Sequence, residues 1–476
     1  MLCAVRLPLV GLSAAGYRSE GGFNGPGEPA NQWTTWERVG VPPPRREPGA
    51  PGVWADPGRL LDDAAAAGAQ VLALPVEWAR TEPSPGRVDE RAIERYAATF
   101  ASVGARGIEP VAVLHDVAHP GWLGEEFWLT PGSPDRFADH VGRTVRALSP
   151  VCRRWVTLRQ PNLVALAGWV DGRHPPRRVG ALADAWAVVD NLLAAHLLAF
   201  GVVRDVLPGA QVMLGLRASS SYDWHRLFVD LLCAPALGVE RDVVDGWVAG
   251  RRARHDRARA PADLEELAWR RVAAATAPFG AGRLRRPSPR RALDLAYGPP
   301  PYVRRHARPP AAPGDPGANG SAPPADRSYP LDALLVGWQP PHLAAALRPA
   351  SRRVAPWDVV PDPEELARWC IDQAEATPGL ELWVADGLAT KRGAPRSDGW
   401  DLAAYVRAEL ETLEGAAARG PVRVGGYLCD VSGGDGDPTW PDAQFGPGGA
   451  TRGFGDLWSD RDPASASGPG TSGGRA

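Results

Sequence analysis

Two large polar side chains directly follow an apolar, strand-forming run in "RRWVTLRQPN", residues 153–162. The residues at 155–158 are types that fit a pleated sheet, and Pro161 lacks the N–H that a further ladder bond needs. Arg159 carries a rigid fork of donors that suits a carboxylate, and Gln160 adds both a donor and an acceptor. The pair predicts a position that binds a carboxylate, an enolate or an acidic carbonyl.

Four aspartates and a second arginine are further candidates for the same site: Asp116, Asp386, Asp430, Asp437 and Arg18. One hypothesis is an acidic mouth in which an aspartate of raised pKa acts as acid or base beside an Arg159 clamp. Asp116 or Asp386 would hold the fork when the pocket is empty. The alternative is a set of solvated loop residues with a structural Arg–Asp pair, since ion pairs also perturb pKa values outside active sites.

Histidine and tryptophan residues near these positions have two interpretations each. His115 flanks Asp116 and is a candidate ligand contact, with a packed core histidine as the alternative. His119 completes no familiar zinc spacing, so we predict neither a metal nor another cofactor. Trp338 and Trp440 are candidates for an aromatic platform, and core packing is the alternative.

The elements that must position these residues follow a regular alternation. Short apolar runs recur at 5–12, 71–76, 110–114, 154–158, 211–216, 333–337, 381–385 and 422–428. Helical periodicity lies between them, at 89–107, 133–148, 178–209, 262–277, 362–376 and 400–418. Eight strands alternating with helices predict an α/β protein, a single (β/α)₈ TIM barrel with its chemistry at the carboxyl ends of the strands. A doubly wound open sheet is the competitor, but no Gly-rich dinucleotide loop is present.

Composition and low-complexity segments define the remaining expectations. We expect the barrel to span 1–460, with a Pro/Arg-rich insertion at about 281–328 and a flexible tail at 461–476. A net charge of −2 gives no electrostatic case for nucleic acid or a membrane surface. The five cysteines lie far apart, which is typical of reduced cysteines in a cytoplasmic protein. The expected partner is a small-molecule ligand, and a homo-oligomer or a partner protein is an open alternative.

Several motifs occur in the order of one known family. "GYRSEGGFNGPGEPANQW" resembles Q-x-E-G followed by N-x-W, and "LPVEWARTEP" resembles R-x-S-x-E-W-x-R-x-x-P. "VLHDVAHPGWL" resembles H-H-x-x-x-P-x-W, and "WVTLRQPN" resembles W-x-T-x-N-E-P. From about residue 9 to about 446, the chain resembles glycoside hydrolase family 1, the β-glucosidase family. The resemblance implies a TIM barrel and a retaining glycosidase.

The catalytic positions of that family are substituted in this chain. A retaining glycosidase uses two carboxyl groups roughly 5 Å apart. The family's acid/base glutamate falls on Gln160, and its asparagine neighbour falls on Arg159. The nucleophile motif T-E-N-G falls on "WVADGLAT", which leaves Ala385 or Asp386 at the glutamate position.

The family's sugar-contacting residues and the residues that support its catalytic pair are also replaced, whereas its scaffold residues persist. The replaced positions hold Arg18, Ala73, Asp116, Trp338, Asp430 and Asp437. The retained ones include Glu77, Trp78, Arg80, Trp155, Pro161 and Tyr427. This contrast predicts a preserved barrel with a dismantled glycosidase site.

Three functions are consistent with this pattern. The first is a repurposed enzyme that performs a non-hydrolytic step, such as a cyclisation, elimination or isomerisation, on a small organic molecule of secondary metabolism. The second is a non-catalytic pseudo-glycosidase that binds a ligand or stabilises a partner. The third is a residual β-glycosidase that uses Asp386.

Overall fold

Eight parallel strands close into a barrel in the computed structural model, which describes residues 8–38, 52–258, 290–298, 329–338, 358–391, 396–430 and 443–445. In barrel order they are β1 Leu9–Ser13, β2 Val71–Pro75, β3 Glu109–Val113, β4 Arg154–Val156, β5 Gln211–Arg217, β6 Ala333–Gly337, β7 Glu381–Asp386 and β9 Val424–Asp430. Two short strands, β8 Ala389–Lys391 and β10 Ala443–Phe445, pair antiparallel outside it. The predicted (β/α)₈ barrel is confirmed, and each of the eight apolar runs forms one of its strands.

Helices cover the outside of the barrel and cap its ends. They are α1 Gly16–Glu20, α2 Thr34–Arg38, α3 Pro57–Ala66, α4 Trp78–Thr81, α5 Glu90–Ala105, α6 Ser133–Leu148, α7 Pro161–Trp169, α8 Leu182–Val206, α9 Arg226–Cys233, α10 Val244–Ala258, α11 Arg290–Tyr297, α12 Pro363–Ala376 and α13 Leu402–Arg419. The helix α11 lies within the segment predicted as an insertion at 281–328. The rest of that segment, the helix predicted at 262–277 and the tail at 461–476 lie outside the described residues.

Local sequence signals explain where several helices begin and end. The side chains of Asp89, Asp362 and Asp401 accept a hydrogen bond from the backbone N–H three residues on, at the starts of α5, α12 and α13. Such caps satisfy a donor that has no partner inside the helix. After α5 the chain passes through Gly107 at φ 74°, a left-handed conformation that glycine adopts without strain.

Strand alternation divides the buried residues into two cores. One face of each strand fills the barrel lumen, where the apolar side chains are Val71, Ala73, Val111, Val113, Val156, Met213, Ala333, Leu335, Trp383, Ala385 and Leu428. The opposite face packs against the helices in a much larger cluster. By length and composition α8 could cross a membrane, but 72% of its most apolar window is buried inside the protein, as in a core helix. Lumen-facing positions beyond the last apolar layer therefore form the mouth of the barrel.

Candidate functional site

Arg159 lies across the mouth and joins the ends of three strands. Its Nη1 donates to the carbonyl oxygen of Ala14, which follows β1, at 3.0 Å. Nη1 also lies 3.7 Å from Oδ2 of Asp116, which follows β3, and Nη2 lies 3.5 Å from Oδ2 of Asp430 at the end of β9. All three charged side chains are at most 6% exposed. The structure thus brings together three of the residues named from the sequence, as a buried cation between two carboxylates.

Asp116 and Arg159 form one more parallel β-bridge beyond the ends of β3 and β4. In this bridge the N–H of Arg159 donates to the carbonyl oxygen of His115 at 2.8 Å. Oδ2 of Asp116 accepts the N–H of Gly16, at the start of α1, at 2.5 Å. Asp116 is therefore held from two sides, by a backbone donor and by a guanidinium.

Gln160 is fixed by its backbone in a left-handed conformation, with φ 57° and ψ 48°. Its N–H donates to the carbonyl oxygen of Gly215 at 2.9 Å, and Pro161 begins α7 immediately after it. The side-chain nitrogen Nε2 lies 3.1 Å from the point where a side chain at Gly337 would begin. A glycine on β6 therefore leaves the space that the buried Gln160 amide occupies. An amide at this place donates and accepts hydrogen bonds, but it supplies no proton.

Alternation along β7 places Ala385 and Asp386 on opposite faces. Ala385 belongs to the lumen core together with Trp383 and Leu428. Asp386 points to the helix layer, where its Oδ2 accepts the hydroxyl of Tyr405 on α13 at 2.6 Å. Asp386 takes no part in holding Arg159, contrary to one of the two expectations from the sequence, because successive side chains of a strand point to opposite faces.

Two other candidates also face the helix layer. His115 is 2% exposed, and its ring packs edge-on against Trp128 and Phe137 at centroid distances of 5.2 and 6.0 Å. Burial lowers the pKa of His115 to about 3, so the imidazole is neutral. Trp338 belongs to the outer core, with its ring 6.1 Å from that of Trp369. These positions match the core-packing alternatives for both residues.

The remaining candidates are only partly described. Arg18 lies on α1, and its side chain is outside the described part. Asp437 and Trp440 lie outside the described residues altogether. In the described part of the chain, no group of three or more His, Cys, Asp or Glu residues could hold a metal ion.

Comparison with known proteins gives a family for this barrel. The profile of "Glycosyl hydrolase family 1" matches residues 9–249, which is slightly more than half of the chain. The chain therefore belongs to glycosyl hydrolase family 1. A 6-phospho-beta-galactosidase of Lacticaseibacillus casei (strain BL23) is 26% identical over 187 residues, 38% of this chain and 39% of that protein. Beta-glucosidase 22 of Oryza sativa subsp. japonica is 24% identical over 258 residues, 50% of this chain and 48% of that protein.

Solved structures agree with the family at the level of the fold. A family 1 β-glucosidase from Thermotoga maritima superposes with a TM-score of 0.61 at 16% identity, covering 92% of this chain and 91% of that one. The sequence matches, by contrast, span at most about half the length of these two curated relatives. The family match thus covers residues 9–249, and the solved structures show a likeness of fold. The activity of the chain is a separate question.

The family scaffold is intact immediately beside the substituted positions. Nε of Arg80, on α4, donates to Oε1 of Glu20 at 2.5 Å, and the Tyr96 hydroxyl donates to the same oxygen at 2.7 Å. The Arg80 guanidinium also stacks on the rings of Phe23 and Trp54 at 4.3 and 4.0 Å. A buried ion pair with additional hydrogen bonds and ring contacts fixes the loop after β1 against the loop after β2.

Sequence reasoning treated Glu77 only as scaffold, but the structure places it at the mouth. The N–H of Val76 donates to the carbonyl oxygen of Val113, as in a continuing strand, and the Val76 side chain lies in the outer core. The next side chain, that of Glu77, therefore points toward the barrel lumen. It is 3% exposed and lies beside Gly16 and Asp116. Burial, followed by the carboxylates of Glu20 and Asp116, raises the pKa of Glu77 well above its usual range. Its position two residues after a lumen-facing strand end is the signal that would have identified it.

Arg217 is a second cation that the motif comparison did not select. Arg217 is the last residue of β5, and its side chain is on the same face of the strand as that of Met213, which points into the lumen. Arg217 is 4% exposed. The side chain of Asn162 clamps its backbone, accepting the N–H at 3.0 Å and donating to the carbonyl oxygen at 2.8 Å. Inspection of the last lumen-facing residue of each strand would have found it.

Proposed function

We propose that this family 1 barrel does not hydrolyse glycosides and instead catalyses a non-hydrolytic reaction on a small organic molecule. Cyclisation, elimination and isomerisation are reaction classes that proximity and a few placed charges can catalyse without an enzyme nucleophile. One observation carries the first half of the proposal: neither position of the catalytic glutamate pair has a carboxyl group that reaches the lumen. Gln160 occupies one position, Ala385 faces the lumen at the other, and Asp386 is bound behind the barrel wall.

Glu77 supports the second half of the proposal. Asp116 and Asp430 are paired with Arg159, but Glu77, the other described carboxyl that faces the lumen at the mouth, is not. No described residue forms a hydrogen bond with the carboxyl oxygens of Glu77. A carboxylic acid whose pKa is raised keeps its proton to higher pH than usual, and in the protonated form it donates a hydrogen bond or a proton to a substrate oxygen. We therefore propose Glu77 as the proton donor, acting on a carbonyl or hydroxyl oxygen.

Arg159 supports a second candidate, the non-catalytic pseudo-glycosidase. Its guanidinium is already held by Ala14, Asp116 and Asp430, which is the arrangement of a structural strut. Such a barrel would bind a ligand or a partner protein without chemistry. The residual β-glycosidase has no comparable support, because both oxygens of Asp386 accept hydrogen bonds from within the protein, from Gly387 and from Tyr405.

Chromogenic aryl glycosides with activated leaving groups test the loss of hydrolysis. Dinitrophenyl β-glucoside, β-galactoside and 6-phospho-β-galactoside bypass the need for an acid at position 160, so they report the nucleophile alone. We expect no turnover above the rate in buffer. Turnover that Asp386→Ala abolishes would contradict the proposal and restore the residual glycosidase.

Restoring the acid alone should not restore hydrolysis. Gln160→Glu returns the acid/base group but not its partner, and groups that act as a unit are strongly non-additive. We therefore expect the single variant to be inactive on the same three glycosides. Activity of Gln160→Glu, with Gln160→Met as the matched control of similar length, would show that another residue already serves as nucleophile.

The genes next to this one would distinguish the repurposed enzyme from the non-catalytic pseudo-glycosidase, and they would suggest candidate substrates to test. Biosynthetic genes would support the enzyme, and a gene for an active glycosidase would support the partner-stabilising protein. The products of neighbouring biosynthetic enzymes would be incubated with the protein and with Glu77→Gln. Conversion that Glu77→Gln removes while substrate binding persists would assign the proton donor. Equal conversion by both proteins would exclude that role for Glu77.

A further inference from the structure

Two buried carboxyl groups meet behind the barrel wall without a counter-ion. Asp386 on β7 and Glu409 on α13 are both 0% exposed. Asp386 accepts the N–H of Gly387 and the hydroxyl of Tyr405, each at 2.6 Å, and Glu409 accepts the hydroxyl of Tyr427 at 2.7 Å. Among the residues that the structure describes, no positively charged side chain bonds to either carboxyl group.

One carboxyl oxygen in this cluster accepts no hydrogen bond. Oε1 of Glu409 is buried and has no hydrogen-bond partner. The surrounding titratable groups are Tyr405 on the same helix, Tyr427 and Cys429 on β9, and Cys370 on α12, all uncharged when protonated. Two ionised carboxylates in such a place would be uncompensated buried charges, which is strongly unfavourable. A proton placed between the two carboxyl groups supplies the missing donor and removes at least one charge.

We propose that Asp386 and Glu409 share a proton and that this proton holds α13 against β7 and β9, so that the attachment of the helix weakens as pH rises. The inference is independent of any reaction at the mouth. Its physical basis is that both carboxyl groups bind protons more tightly when they are packed together than when α13 opens to water. Burial is the first cause, and it raises the pKa of Glu409 to about 7. Burial, followed by the charge of Glu409, raises the pKa of Asp386 well above its usual range.

Amide hydrogen exchange of the full chain, corrected for the intrinsic pH dependence of exchange, measures this attachment directly. For each proton lost on opening, the opening equilibrium of α13 should increase about tenfold per pH unit between pH 5 and pH 7. We expect Asp386→Asn to reduce that slope and Asp386→Asn with Glu409→Gln to flatten it. Glu411→Gln, an exposed carboxyl on the same helix, should leave the slope unchanged.

The outcomes separate the shared proton from a general effect of pH. A flat profile for the wild-type helix would overturn the proposal, as would an unchanged slope in the double variant. An equal loss of slope in Glu411→Gln would also overturn it. If Asp386→Asn fails to fold, Glu409→Gln alone tests the same proton, because it removes the other titrating group.

Discussion

Replacing Arg159 by alanine should destabilise the protein, because it leaves two carboxylates buried at the mouth without their cation. The guanidinium is 4% exposed, and the side chains of Asp116 and Asp430 are 6% and 3% exposed, so solvent screens the interaction little. Removing one partner of a buried ion pair costs about 3–5 kcal/mol. The separations of 3.5 and 3.7 Å are long for direct contact, which places the ionic loss at the lower end. The hydrogen bond to Ala14 adds about 1 kcal/mol.

A total of about 3–4 kcal/mol is accessible to urea unfolding and thermal melts. At roughly 1–2 °C per kcal/mol for a domain in a chain of 476 residues, the melting temperature should fall by roughly 3–8 °C. Arg159→Lys should recover part of the loss, since it keeps the charge but not the fork. Arg159→Met combined with Asp430→Asn should be more stable than Arg159→Met alone, because the second change removes a stranded charge.

The contrary result has a specific meaning. If Arg159→Ala melts within about 1 °C of the wild type, the carboxylates are not held by this guanidinium in solution, since a strut of this burial should cost several kcal/mol. An intact melting temperature together with lost small-molecule binding would show that Arg159 is a free ligand clamp. A lowered melting temperature with unchanged binding would assign it to the structure.

Three further changes test other parts of the structure. Arg80→Ala should cost about 3–5 kcal/mol in urea unfolding, because it strands the buried Glu20 carboxylate. Gly16→Ala should destabilise the protein by about 1–3 kcal/mol, because the new Cβ would lie 2.0 Å from the buried carboxyl oxygen Oε1 of Glu77. The control is Gly104→Ala, whose Cβ would meet nothing within 4 Å and which should not destabilise α5. Burial lowers the pKa of His140 to about 3, so this histidine is neutral when folded and its contribution to stability should decrease as pH drops below about 6.5. His140→Phe should therefore lose less stability than the wild type over that range. Melting temperatures of the wild type and His140→Phe that fall equally between pH 6.5 and pH 4 would contradict this last prediction.

Much of the barrel could be predicted from the sequence because its signals are local. Apolar runs of strand length, helical periodicity and capping aspartates such as Asp89 and Asp362 each act over a few residues. The face of a strand also follows from local alternation, which would have placed Asp386 behind the wall once Ala385 was assigned to the lumen. The fold was therefore accessible without any long-range information.

The arrangement of the mouth could not be predicted in the same way. Arg159 meets Asp430 across 271 positions of the chain, and which strand ends face each other depends on the register of the closed barrel. The same holds for Gln160 and Gly337, where one side chain fits because a residue on another strand has none. Such complementarity belongs to pairs of distant positions, so inspection of either residue alone does not show it.

The substitutions at the mouth are complementary to one another, which argues against simple decay of a glycosidase. By the motif comparison, Asp116 stands in place of a histidine, Arg159 in place of an asparagine and Asp430 in place of a tryptophan. In the structure these three residues form one charge-compensated cluster, in which a single guanidinium lies between two buried carboxylates. Any one of the three introduced alone would have buried an unpaired charge, at a cost of several kcal/mol. We therefore expect them to occur together in homologues, with an acid at 116 and 430 wherever 159 is arginine. Homologues that carry Arg159 between neutral residues would show instead that the cluster arose by chance.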